Sequence, residues 1–334
     1  MNPFLRFAAL TWCLLIGSIS AGAQEPPTTP QETTTLETVL VTGEQPGPGL
    51  WKVSKDDHVL WILGAQYPLP KKMVWRARAV EDTLAQSQEL LGDASPKLHV
   101  GFFRALTLVP SVFGARKNAG GATLKDILPA DVYARWLALK ARYIGRDSGV
   151  EKLRPMIAAN ELYNKALDRS GLARNGTIWE TVEKSAKRQH VRVVEPEVKI
   201  EVDDPKQALQ DFRSTAGPLD VECLDATMRR LETDLDTMRR RANAWAVGDI
   251  EELRKLPYPD QRDSCIAALA SNPNLRERLK EAMVQIDYTW VSAAEKALDQ
   301  NASTLAVMQM TELLRPDGRL AMLAARGYTV EAPE

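Results

Sequence analysis

"LWKVSKDDHVLWILG", residues 50–64, is the stretch on which the fold turns. Two runs rich in alternating apolar residues, "LWKV" and "HVLWIL", flank the turn-forming "SKDD", which is the pattern of a β-hairpin. The second run ends at Gly64, and a glycine at the mouth of a strand lets the backbone turn sharply and offer the next side chains to a pocket. Those side chains are Gln66 and Tyr67, neither of which is a strong nucleophile, base or metal ligand at neutral pH.

C-terminal to the hairpin, "PLPKKMVWRARAVEDTLAQSQ" (residues 68–88) reads as a helix led in by prolines, with Met73, Val74, Ala77, Val80 and Leu84 at helical spacing. "ELLG" (89–92) follows as a short strand. The middle of the chain is mostly helical: 128–143, 151–167 and 177–190 each carry a helix pattern, and "VRVVEPEV" (191–198) is a second strand candidate. Leu224, Met228, Leu231, Leu235, Met238, Ala242 and Trp245 alternate by four and three and stop at Gly248, so one helix packed inside its own domain is expected there. At the far end come a helix over 275–300, a strand in "STLAVMQM" (303–310), a helix in "RPDGRLAMLAARG" (315–327) and a strand in "YTVEAP" (328–333). Strands cluster at the two ends with helices between them. The fold class is therefore α+β, a central mixed β-sheet built from N- and C-terminal segments and covered by many α-helices.

Residues 1–23 hold one basic residue, Arg6, an apolar stretch, and small residues at Ala21 and Ala23, the three-part pattern of a signal peptide cleaved after Ala23. Residues 24–48 are rich in Pro, Thr, Gln and Glu and read as a flexible linker leading into a domain over 49–334. Inside the linker, "ETVLVTG" (37–43) resembles the TonB-box segment of TonB-dependent receptors and offers a TonB-type contact by strand addition. No segment after the leader is apolar enough for a transmembrane helix, so a periplasmic or secreted protein of a Gram-negative bacterium is expected. The net charge of −1 gives no footprint for nucleic acid, and the cluster Arg239, Arg240, Arg241 reads as a solvated helix face. Cys223 and Cys265, without CxxC spacing, read as one structural disulfide in an oxidising compartment, the alternative being two buried thiols.

The usual catalytic signatures are missing. His58, His99 and His190 share no metal-ligand spacing, no GxSxG turn stands in the mature chain, and the glycines of "GARKNAGGATLKD" fit no phosphate-binding loop. Glu195 and Glu197, two apart, would face one side if their strand continued through Pro196, and paired carboxylates can divide acid and base roles or hold a cation.

"GLWKVSKDDHVLWILG", "TLKDILPADVYARW", "EKLRPMIAANELY", "RANAWAVGDIEEL" and "PDGRLAMLAARGYTVE", in that order, resemble the TraB/GumN family across nearly all of 49–331. Wider relatives include the Tiki metalloproteases and the ChaN- and erythromycin-esterase-like folds. The resemblance implies a G-x-x-H motif after the first hairpin, a second glycine-histidine motif before the final helix, and acidic residues at neighbouring strand ends. Here Gly64 is kept, but the first histidine position falls on Tyr67. The second glycine position is Met308, and its histidine falls on Thr311 or Glu312. The acidic positions fall on Asp93, or Glu89 in a shifted register, and on Glu195. The expectation is a divergent member whose family-type metallopeptidase chemistry is lost, with no metal and no cofactor. Its retained pocket around Gly64, Gln66, Tyr67, Asp93, Glu195, Thr311 and Glu312 would take a small ligand or an envelope partner. The competing expectations are a hydrolase using carboxylates around an oxygen-preferring cation, and a TonB-linked adaptor.

Overall fold

The computed structural model describes residues 44–45, 47–71, 73–75, 78–99, 114–173, 178–201, 204–214, 217–258, 265 and 273–333. All of them belong to a unit that runs from Thr38 to Glu334. The leader, most of the linker and the "ETVLVTG" segment lie outside the described residues. The strands are β1 (Glu44–Gln45), β2 (Leu50–Lys55), β3 (His58–Ala65), β4 (Leu69–Pro70), β5 (Val74–Trp75), β6 (Glu89–Leu91), β7 (Ser95–His99), β8 (Leu172–Ala173), β9 (Arg192–Val194), β10 (Glu197–Glu201), β11 (Ser303–Gln309) and β12 (Thr329–Glu331). The helices are α1 (Arg78–Ala85), α2 (Leu124–Ile127), α3 (Ala130–Tyr143), α4 (Pro155–Arg169), α5 (Trp179–Arg188), α6 (Pro205–Ser214), α7 (Pro218–Thr233), α8 (Leu235–Val247), α9 (Ile250–Lys255), α10 (Pro273–Gln300), α11 (Met310–Leu313) and α12 (Arg319–Ala325).

The hairpin forms as its pattern requires. Lys55 pairs with His58 across a two-residue turn, and Asp56 takes the left-handed φ of 54° that aspartate tolerates better than most residues. Its second strand becomes the centre of a six-stranded sheet of order β12-β2-β3-β11-β6-β9. β2 is antiparallel to β3 and to β12, whereas β3, β11, β6 and β9 run parallel. Opposite ends of the chain thus supply the central pair, with Ser303 opposite Val59 and Gln309 opposite Ala65. The α+β architecture expected from the distribution of strands is the one found.

Among the described residues two apolar cores result. Strand residues such as Leu60, Ile62, Leu90 and Leu305 pack with Leu84 of α1, Val182 of α5 and Trp290, Val291 and Leu298 of α10. A second, helical core joins α2, α3, α4 and α7 through Trp136, Leu162, Leu224 and Met228. The long apolar stripe belongs to both: Leu224 to Met238 face the helical core, while Ala242 and Trp245 face the sheet core. It is two helices rather than one, broken at Asp234. Aspartate is a poor residue for a helix interior, and here its carboxylate instead accepts a bond from Arg241 Nη2 at 2.8 Å. Gly248 ends α8 in the left-handed conformation, φ 76°.

Several local readings change. Residues 68–88 are helical only from Arg78. Before that, β4 pairs with β8 and β5 with β1, because Pro68 and Pro70 lack the N–H groups of a helix and both segments find distant strand partners. "VRVVEPEV" breaks at Pro196, so Glu197 joins β10 of a separate two-stranded sheet and shares no strand face with Glu195. Arg241 is not on a solvated face: it is buried, donates to the Pro257 carbonyl and lies 4.9 Å from the Tyr258 ring. The last residues of the stretch read as a linker are docked, with Gly47 N–H donating to Ala246 O at 2.9 Å.

A buried ion pair lies in the helical core. Arg154 donates through Nε and Nη2 to the Asp220 carboxylate at 2.8 and 3.0 Å, and its guanidinium stacks on Phe212. Cys223 of α7 and Cys265 form a disulfide across a separation of 42 residues. In the chain-entropy account, closing such a loop contributes about 4 kcal/mol.

Candidate functional site

Because β3, β6, β9 and β11 are parallel, their carboxyl ends share one edge of the sheet, where α/β sheets commonly hold their ligands. The residues that leave those ends are Gln66 and Tyr67 after β3, Gly92 and Asp93 after β6, Glu195 after β9, and Met310 to Glu312 after β11. Gly64 is required by close packing. A Cβ there would lie 2.4 Å from Met310 Cε and 3.0 Å from Leu313 Cδ1, so its absence lets α11 settle over β3. Its carbonyl accepts a hydrogen bond from the buried Trp245 Nε1 at 2.7 Å.

Gln66 is buried and both ends of its amide are engaged. Oε1 accepts from Tyr258 OH at 2.9 Å, and Nε2 donates to the Tyr67 carbonyl at 2.9 Å. Burial pushes the Tyr258 phenol up to about 12, with Arg241 opposing, so it remains a protonated donor. The Tyr67 phenol is also raised, chiefly by burial and further by the charges of Glu180 and Asp93, against a backbone hydrogen bond at Trp179 that works downward.

Next to these lies a network of charges. Arg319 Nη1 donates to Asp93, and Arg319 Nε donates to Asp287 Oδ1 at 2.9 Å and lies 3.9 Å from Glu312 Oε2. Arg315 donates from Nη2 to Asp287 Oδ2 at 2.6 Å and from Nη1 to Glu312 Oε1 at 3.0 Å. Burial would raise Asp287, but the hydrogen bonds from Arg315 and Arg319 prevail and hold its carboxyl below the usual range. Glu312 goes the other way. Burial raises it and the charges of Asp287 and Asp93 add to that, outweighing Arg315 and Arg319, while its Oε2 is buried without a hydrogen-bond partner.

A raised carboxyl contributes stability that is present below its unfolded value and lost as pH rises through the folded one. Glu312→Gln, uncharged throughout, is therefore expected to gain stability relative to the unmodified chain as pH rises from about 4 to about 7. Urea unfolding of both proteins across that range measures the difference, and a constant difference would contradict it.

Of the positions singled out in the sequence, Tyr67, Asp93 and Glu312 are brought into one electrostatic neighbourhood. Glu195 is exposed and stands beside Gly92, its Cγ 3.1 Å from where a Cβ on that glycine would sit. Thr311 is exposed. Glu89 begins β6 at the other edge of the sheet and pairs with Arg192, away from Asp93. Arg315, Arg319 and Asp287 were not anticipated. Asp287 could have been, since it precedes Trp290, Val291, Ala294 and Leu298 at helical spacing, and a carboxylate on a buried stripe signals a partner.

A parallel strand set with a charged and phenolic centre at its carboxyl edge, joined to a helical subassembly, defines an α+β domain built to present groups from several strand ends at once. The chain belongs to the TraB/PrgY/gumN family, whose model matches residues 49–332. No curated protein matches the chain. No solved structure matches it.

A histidine-bearing metal centre of the kind the family resemblance implies needs imidazole nitrogens, and none stands among Tyr67, Asp93, Asp287, Glu312, Arg315 and Arg319. Tyr67 holds its proton at neutral pH and takes a backbone hydrogen bond at Trp179. The carboxylates of Asp93, Asp287 and Glu312 are engaged by guanidinium groups. His58 begins β3 and His190 precedes β9, both at the opposite edge of the sheet. Among the described residues no three His, Cys, Asp or Glu side chains are grouped to hold a metal ion.

Proposed function

We propose that this chain is an exported TraB/PrgY/gumN-family protein whose strand-end centre serves to bind a small ligand or an envelope partner, without the peptidase chemistry of the metal-dependent relatives. The observation that carries this reading is Tyr67: where the family resemblance calls for an imidazole, a half-buried phenol is kept protonated by its surroundings. A group that neither ligates a cation nor exchanges a proton near neutral pH cannot replace histidine in that chemistry. Export to the periplasm or beyond rests on the pattern of residues 1–23, and a disulfide between Cys223 and Cys265 is in keeping with an oxidising compartment.

Purified mature protein, incubated with a mixed peptide library with and without added Mn2+, Co2+ or Zn2+, is expected to give no cleavage above background, detected by mass spectrometry. Hydrolysis that disappears in Tyr67→Phe would defeat the proposal. A second reading, a hydrolase acting through carboxylates, draws on the raised carboxyl of Glu312, since perturbed acids gather at catalytic centres. It requires cleavage that survives Tyr67→Phe and is lost in Glu312→Gln.

A further inference from the structure

We infer that Arg319 is a built-in cation of the strand-end centre, a fixed guanidinium that joins carboxylates from three separate elements where the peptidase relatives are expected to use an exchangeable metal ion. The Arg319 side chain is only 4% exposed, yet it reaches Asp93 beyond β6, Asp287 on α10 and, at 3.9 Å, Glu312 on α11. Its guanidinium carbon lies 5.6 Å from the Trp290 ring, so the apolar side of the group is covered as well.

Local helix preferences do not explain a cation here. Arg319 is the first residue of α12, and a positive charge at a helix N-terminus opposes the helix dipole. The turn before it is closely fitted: a Cβ on Gly318 would lie 3.0 Å from Glu312 O and 3.1 Å from Arg315 Cβ and Arg315 O. That turn sets Arg315 and Arg319 against the same carboxylates, with Asp287 bonded to both. Burial acts to lower the Arg319 guanidinium, but the charge of Asp93, the hydrogen bonds to Asp93 and Asp287 and the charge of Glu312 hold it more firmly protonated than usual. Guanidinium satisfies carboxylates through directed, bidentate-capable N–H groups and is covalently tethered, so Asp93 and Asp287 find their counter-charge here without a free ion. Arg319 holds that place whether or not the centre catalyses a reaction.

Thermal unfolding of the full mature chain tests this. The groups facing Arg319 or its partners are Asp93, Asp287, Glu312, Arg315, Asp317 and the Tyr67 phenol. The unmodified protein is expected to keep its Tm, within about 1 °C, in EDTA and in millimolar Mn2+ or Zn2+, because a site filled by a tethered cation gains nothing from ligand linkage. Arg319→Ala is expected to lower Tm by on the order of 5 °C or more near pH 7, with the deficit shrinking toward about pH 4 as the carboxylates it leaves unpaired take up protons. Arg319→Lys keeps the charge but not the guanidinium geometry and should show a smaller deficit with a weaker pH dependence than alanine, and it serves if the alanine variant does not fold. An Arg319→Ala deficit that is the same at both pH values would assign the residue a packing role only and overturn the inference. So would an unmodified protein whose Tm rises with Mn2+ or Zn2+ and falls on chelation.

Discussion

Asp220→Ala is expected to destabilise the protein by about 3–5 kcal/mol, because it strands the guanidinium of Arg154 inside the helical core. Asp220 is fully buried and Arg154 is 1% exposed, so water cannot take over the two hydrogen bonds that the carboxylate accepts. Burying charge is costly even when it is paired, so the large effect belongs to breaking the pair rather than to the pair's net worth. The double variant Arg154→Met with Asp220→Leu is accordingly expected to be less damaged than Asp220→Ala alone. Urea unfolding of Arg154→Met, Asp220→Leu and the double variant completes the cycle, and additive losses would show that the two residues do not act as a unit.

Trp245→Ala is expected to cost a comparable amount, about 3–5 kcal/mol, since a fully buried indole leaves a large cavity. Trp245 packs edge-on against Trp75 with ring centroids 5.8 Å apart and donates to the Gly64 carbonyl. Trp245→Phe separates these contributions. It retains most of the ring volume but leaves that buried carbonyl without its donor, for an expected loss of about 1–3 kcal/mol. Denaturant midpoints distinguish the two variants. If phenylalanine matched the unmodified protein, the hydrogen bond to Gly64 would have no role in holding the end of β3.

The hairpin and the final strand were legible in the sequence because each carries its own signal: alternation around a polar turn in one case, a glycine-stopped helix before a short β run in the other. What the sequence could not display was pairing at a distance. Leu69–Pro70 and Val74–Trp75 look like the lead-in of a helix, and only the presence of β8 and β1 beside them makes them strands. The same holds for the centre. Tyr67 follows the glycine near the end of β3, whereas Asp93 and Glu312 are reached only through the family resemblance; all three lie just beyond ends of strands that run parallel. Arg315 and Arg319 flank a "PDG" turn inside a stretch that reads as a helix, and their role depends on an aspartate of α10 that no local pattern connects to them.

The central strand pair also carries a consequence for how a chain of this kind comes into being. β3 lies near the start of the folded region and its parallel neighbour β11 near its close, so the sheet has a high contact order and its middle stays open until the last segment is made. A nascent chain can close the β2–β3 hairpin early, yet the other edge of β3 remains bare, an apolar template for wrong pairing until residues 303–309 arrive. The same waiting period would recur in a chain threaded N-terminus first through a translocation channel. Truncated products ending before β11 are thus marked by an exposed central strand, the feature by which chaperones and proteases can sort unfinished chains from complete ones.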